Sequence, residues 1–126
     1  MTFHELWDER RGAAAVEFGL TAPAFFTLLG ASITGGLLLW TQLGLQHGVE
    51  RAARCASINS SLCGSVTAIQ NYAAQQALGL SPPASTFTVT TPNCGNQVSA
   101  TYTLEFITKY LGMPSLAINA VACFPK

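Results

Sequence analysis

The sequence predicts an α+β fold: a long N-terminal helix, a short second helix and a small three-stranded antiparallel sheet. Three observations carry that expectation. No Asp, Glu, Lys or Arg occurs from Phe18 through Val49. Residues 66–78 place apolar side chains at helical spacing. Residues 86–124 hold three runs in which apolar and polar residues alternate, with turn-forming residues between them.

The chain opens with charges: Glu5, Asp8, Glu9, Arg10 and Arg11, with Glu17 following alone. Beyond Glu17 the uncharged run begins. A helix needs about 20 apolar residues to cross a bilayer. The segment Phe18–Trp40 (FGLTAPAFFTLLGASITGGLLLW) supplies them, and Trp40 suits a membrane–water interface. A removable secretory signal has an apolar core of about 7–15 residues and a small-x-small cleavage site, and neither matches. A chain of 126 residues offers too little core to bury such a helix. The expectation is a retained transmembrane helix over about residues 18–40. Arg10 and Arg11 just before it place the N-terminus in the cytoplasm and the rest in the periplasm. Arg51 and Arg54, beyond the span, weigh against that order.

Past Trp40 polar residues return as Gln42, Gln46, His47, Glu50, Arg51 and Arg54. Leu43, Leu45, Val49, Ala52, Ala53 and Ala56 keep a stripe between them, so the helix should continue to Ser57. An element spanning 13–57 would measure about 67 Å at 1.5 Å per residue. Pro23 removes one backbone bond and should kink or loosen it. Ala31 and Gly35 are four apart, as are Gly44 and Gly48, and such spacing lets membrane helices approach closely. Glycine is also simply common in such helices. His47 reads as a solvated or interfacial side chain. With His4 as its sole companion, it builds no metal site.

Residues 58–126 form the expected headpiece. Ile58–Gly64 (INSSLCG) is loop-like. Ser65 can cap a helix over 66–78 with Val66, Ile69, Ala73 and Ala77 on one face. Gly79 ends it and Pro82-Pro83 blocks its return. Strands follow at about 86–91, 97–107 and 116–124. Their inward sets are Phe87 and Val89; Val98, Ala100, Tyr102, Leu104 and Phe106; and Leu116, Ile118, Ala120 and Ala122. Residues 92–96 and 110–114 are the turns, and Glu105 with Lys109 can pair at a strand end. A three-stranded sheet with one apolar face needs a cover, which the end of the first helix supplies.

A headpiece this small benefits from staples. Cys55, Cys63, Cys94 and Cys123 all fall beyond the span, and an even count in an oxidising compartment reads as two disulfides. Three pairings are possible. Locality and strand order favour Cys55–Cys63 with Cys94–Cys123. Zinc is disfavoured because no paired C-x₂₋₄-C spacing occurs.

Several functions are excluded. Six basic residues balance six acidic ones and 10% of residues are charged, so no basic surface exists for nucleic acid. A hydrophobic share of 49% and a mean hydropathy of +0.34 exclude a disordered chain. Glu17, Glu50 and Glu105 fall in different regions, and no G-x-S-x-G or glycine-rich phosphate loop is present. No catalytic activity, cofactor or metal is expected. Glu17 alone does not fit a plain anchor. It either lies at headgroup depth and complements the helix dipole, or it needs a cationic partner inside a membrane assembly.

Its surroundings carry a resemblance. The string Arg10-Arg11-Gly12-Ala13-Ala14-Ala15-Val16-Glu17-Phe18 resembles the processing site of type IV-like prepilins: a short hydrophilic leader, a Gly before the cut and a Glu five residues after it. More closely, RRGAAAVEFGLTAPAFF resembles the N-terminus of the TadE-like family, the minor pseudopilins of Tad (Flp) pili. LLLWTQLGLQHGVERAARCA resembles the continuation of that family's helix. The Glu-Phe pair and the chain length match this family better than the major Flp pilin, which is shorter and usually carries Glu-Tyr.

The resemblance implies a pilin-like fold and a leader, residues 1–12, removed between Gly12 and Ala13 by a membrane aspartyl prepilin peptidase. Glu17 then becomes the fifth mature residue. With Phe18 beside it, it would set the register between packed helices by pairing with the α-amine of a neighbouring subunit. An unpaired charge in hydrocarbon is costly, which favours that pairing. The implied partners are the inner membrane, the peptidase, other pseudopilins or pilins and the Tad secretion machinery. The implied role is assembly or priming of a pilus used in adhesion, surface colonisation and biofilm formation. A second class stays open: a single-pass membrane protein whose disulfide-bonded ectodomain binds another envelope partner. Processing after Gly12 separates the two.

Overall fold

The computed structural model describes residues 3–104, 112 and 115–126, with side chains from residue 12 onward. The first helix, α1, runs Phe3–Ile58. It starts ten residues before the expected Ala13. The reason is local: no proline precedes Pro23, and the first glycine, Gly12, is followed by three alanines. One glycine costs a helix only about 1 kcal/mol. The helix also continues through Pro23, which leaves the Gly19 carbonyl without its usual N–H donor.

The chain forms two compact units, one up to Gly36 and one of Leu37–Lys126. The first is a stretch of α1. Val16, Phe18, Leu20, Phe25, Phe26, Leu28, Leu29 and Ile33 are all exposed on it, so it is apolar around its circumference. Hydroxyls within it bond back to its own carbonyls: Thr21 to Glu17 (2.9 Å), Thr27 to Ala24 (2.9 Å) and Ser32 to Leu28 (2.9 Å). Local bonding of this kind hides polar groups from an apolar medium. From Gly12 on, α1 is long and apolar enough to cross a membrane, with a mean hydropathy of 1.6 over its most apolar window.

In the second unit, α1 is followed by helix α2 (Val66–Gln75), a 3₁₀ turn (Ala84–Thr86) and strands β1 (Phe87–Thr90), β2 (Asn96–Leu104) and β3 (Leu116–Phe124). Ser65 caps α2, its Oγ accepting from the Ala68 N–H at 3.2 Å. The helix ends three residues before the expected Leu78, because Leu78, Gly79 and Ser81 all take positive φ (48°, 81° and 44°). The strands form an antiparallel meander in the order β1-β2-β3. Phe87 opposes Ala100, and Ala100 opposes Ala120. The expected β2 residues 105–107, the Glu105–Lys109 pair and the 110–114 turn lie outside the described residues, apart from Gly112 in a turn.

One apolar core joins these elements. Leu45, Val49, Ala52 and Ala53 of α1 meet Ile69 and Ala73 of α2, and Phe87, Val98, Ala100, Ile118 and Ala120 of the sheet. The pattern agrees with the sequence reading except at Leu43, Val66 and Leu116, which are exposed, and Phe106 lies outside the described residues. Gly95 (φ 126°) turns the β1–β2 hairpin, and a Cβ there would collide with the Phe124 carbonyl. Cys55 is bonded to Cys63, and Cys94 to Cys123. The first bond holds the loop after α1, and the second ties the hairpin to the end of β3.

Glutamine amides reach carbonyls on both edge strands. Gln42 Nε2 donates to the Asn119 carbonyl (3.1 Å) and Gln46 Nε2 to that of Val121 (3.5 Å), along β3. Gln70 Nε2 donates to the Phe87 carbonyl on β1 (2.7 Å). Such contacts occupy acceptors that an added strand would need.

Candidate functional site

The residues singled out in sequence fall into two groups. Gly12, Ala13, Glu17, Phe18, Pro23, Ala31 and Gly35 lie in the first unit, and Gly44 and Gly48 in the second.

Gly12 and Ala13 sit inside α1, both exposed, with nothing within 4 Å of a Cβ built at Gly12. A protease that binds substrate as an extended strand must therefore unwind the helix locally. Glu17 is exposed, and among the described residues no side chain partners its carboxylate. Its carbonyl accepts the Thr21 hydroxyl, which also lies 3.4 Å from the Phe18 carbonyl.

One turn on, Phe18, Thr21, Ala22, Phe25 and Phe26 line a shallow notch of about 360 Å³. The Phe25 and Phe26 rings meet edge to face, with centroids 5.6 Å apart. Positions 18, 21, 22 and 25 follow the i, i+3, i+4, i+7 spacing of a hole that accepts a knob from a facing helix. Two aromatic walls flank two small residues. The sequence reading singled out Glu17 and Phe18 and not Thr21, Ala22, Phe25 or Phe26. The first four of the five notch positions share one helical face by spacing alone, which the sequence already displays.

The small-residue pairs divide. A Cβ at Gly35 would meet open space. At Gly44 it would stand 2.6 Å from Leu80 Cδ1 and 2.9 Å from the Ala77 carbonyl. At Gly48 it would stand 2.9 Å from the Ala73 carbonyl. Gly44 and Gly48 thus serve close packing of α1 on α2 and its exit loop within one chain. That corrects the expectation that they face another membrane helix.

His47 is also corrected. It is half-buried, and its Nδ1 lies 2.8 Å from the Gln76 carbonyl. A carbonyl only accepts, so Nδ1 carries the proton and the ring closes the C-terminal end of α2. Beside it, Gln46, Glu50, Arg51, Arg54 and residues Val121–Phe124 line a groove of about 560 Å³. Gln46 Nε2 donates to Glu50 Oε1 at 2.8 Å, and among the described residues no carboxylate pairs with either arginine. No three His, Cys, Asp or Glu residues come together among the described residues. The arrangement supports packing and docking.

No curated protein and no solved structure matches the chain. A family model described as TadE-like protein matches residues 12–54. That segment, about a third of the chain, holds Gly12, Glu17, the notch and both small-residue pairs, and over it the chain is similar to that family.

Proposed function

We propose that the chain is a minor pseudopilin, cut between Gly12 and Ala13 by a prepilin peptidase and needed to assemble or prime a Tad-type pilus for adhesion and surface colonisation. Its role is structural rather than catalytic. The observation that carries the reading is where the family match falls: it begins at Gly12 and runs through Glu17 along α1. Two features support it. Glu17 has no partner among the described residues, which suits a carboxylate reserved for another subunit's amine. The exposed apolar helix suits a membrane-held subunit with its N-terminus in the cytoplasm and its headpiece in the periplasm.

N-terminal sequencing of the membrane-extracted protein should read Ala13 first. Gly12→Val should leave a precursor larger by the 12-residue leader. An unchanged mature size in that variant would sink the processing claim. Glu17→Ala should be processed normally yet assemble few pili, and wild-type piliation in that variant would remove the assembly role.

A further inference from the structure

Within the second unit, α1 and the sheet edge beside it keep step. Gln42 Nε2 donates to the Asn119 carbonyl at 3.1 Å, and Gln46 Nε2 to the Val121 carbonyl at 3.5 Å. Four helical residues rise about 6 Å and two strand residues about 6.6 Å, so rung follows rung. In an antiparallel sheet a residue turns its N–H and C=O to the same side, and alternate residues share that side. Asn119 and Val121 turn theirs toward α1, and so therefore does Cys123. β3 is an edge strand, so no strand of the sheet takes these groups. The rung at Cys123 falls to Glu50, four residues past Gln46. A carboxylate cannot donate to a carbonyl. Glu50 instead accepts from Gln46 Nε2 at 2.8 Å, and among the described residues no side chain bonds the Cys123 backbone. Side-chain cover resumes at Phe124, whose carbonyl accepts from Ser57 Oγ at 3.4 Å. One donor and one acceptor are left open at Cys123. They face the groove of about 560 Å³ between α1 and the end of β3.

Arg51 and Arg54 line the helix side of that groove, and both are exposed. Arg51 stands about 7.5 Å past Gln46 along the helix, level with Cys123. Among the described residues no carboxylate pairs with either guanidinium. Glu105 is the one acid in the sequence between β2 and β3, and it cannot serve them. The chain holds its Cα within about 4 Å of that of Leu104. Leu104 pairs with Leu116, which precedes Cys123 by seven positions. That is about 23 Å of strand, more than the two side chains can bridge.

We propose that this groove takes an extended acidic segment of another protein, which pairs its backbone with the Cys123 N–H and C=O and sets carboxylates against Arg51 and Arg54. Charge complementarity selects the occupant. Two guanidiniums face the groove, and its single carboxylate is already held by Gln46. Arginine binds carboxylates through paired, charge-assisted hydrogen bonds. The backbone of the occupant is extended because the open groups are a donor and an acceptor on a strand edge. Its paired stretch is short, because Gln42 and Gln46 occupy the acceptors before Cys123. The inference stands on the headpiece and does not depend on cleavage after Gly12.

The test uses the full chain, disulfides intact, in phosphatidylcholine nanodiscs, whose lipid carries no net charge. The probe is a short fluorescein-labelled peptide that alternates valine with glutamate, and binding is read by anisotropy. The expected result is saturable binding that weakens about tenfold when glutamine replaces the glutamates, and by a similar factor in an Arg51→Gln, Arg54→Gln double variant. That variant should melt like the wild type, since both arginines are exposed. A peptide with the same side chains and an N-methylated backbone should bind poorly. Amide exchange at Cys123, followed by NMR, should slow when the acidic peptide is added. No binding of the acidic peptide, or equal binding of the glutamine peptide, overturns the proposal. So does full affinity in the double variant. Binding that leaves Cys123 exchange unchanged, or that survives N-methylation, removes the strand pairing and overturns it as well. If phosphatidylglycerol vesicles displace the acidic peptide and their binding needs the same arginines, the groove serves anionic lipid and the proposal falls.

Discussion

Gly35 and Gly48 belong to one helix, yet a methyl group acts differently at each. At Gly48 it meets the Ala73 carbonyl at 2.9 Å, a backbone atom that moves only if α2 moves. Gly48→Ala should lose about 1–3 kcal/mol through overpacking. In a headpiece of this size that lowers Tm by at least about 4 °C. Gly35→Ala meets open space and should hold or raise stability, since alanine favours the helix by about 1 kcal/mol. Parallel melts of the two variants check both. If Gly35 faces another subunit, its alanine variant keeps its Tm and loses pili. His47 makes a second case at this scale. His47→Ala strips the Gln76 carbonyl of its donor and should cost about 1 kcal/mol, read as a lower denaturation midpoint.

Among the elements, the two disulfides differ in reach. Cys94–Cys123 spans 29 positions and Cys55–Cys63 spans 8. The chain-entropy relation gives about 3.5 kcal/mol for the longer loop and about 2.5 kcal/mol for the shorter. Replacing Cys94 and Cys123 together by alanine should therefore lower Tm more than replacing Cys55 and Cys63. The elements themselves were largely legible in sequence. β3 starts and ends where alternation placed it, and Ser65 caps α2 as its position before an apolar run implied. What sequence could not show depends on three-dimensional neighbours. Nothing in the Gly44 and Gly48 spacing says whether the close partner is α2 or another chain. Nothing in His47 names the carbonyl 29 residues away that it closes. The end of α2 was overrun because Leu78 and Ser81 adopt left-handed backbone that their side chains disfavour. At the N-terminal site, Glu17 stood out because charge in an apolar run is rare, whereas the Phe-walled notch is built of ordinary residues.

For the whole molecule, the helix up to Gly36 is exposed and apolar, whereas the headpiece has its own buried core. The chain should remain in the membrane pellet after alkaline carbonate washing if this helix, long and apolar enough to cross a membrane, does so. Release into the supernatant would contradict retention. The headpiece meets water with few charges and closes its sheet with Gln42, Gln46 and Gln70. Sheets commonly guard their edges with lysine or other charges. Salt screens a charge, and acid can discharge a carboxylate. An amide is subject to neither. At the Asn119 and Phe87 carbonyls, the amide contacts of Gln42 and Gln70 do not depend on salt or on mild acid. At those two carbonyls the sheet thus keeps a blocking group whatever the composition of the fluid around it.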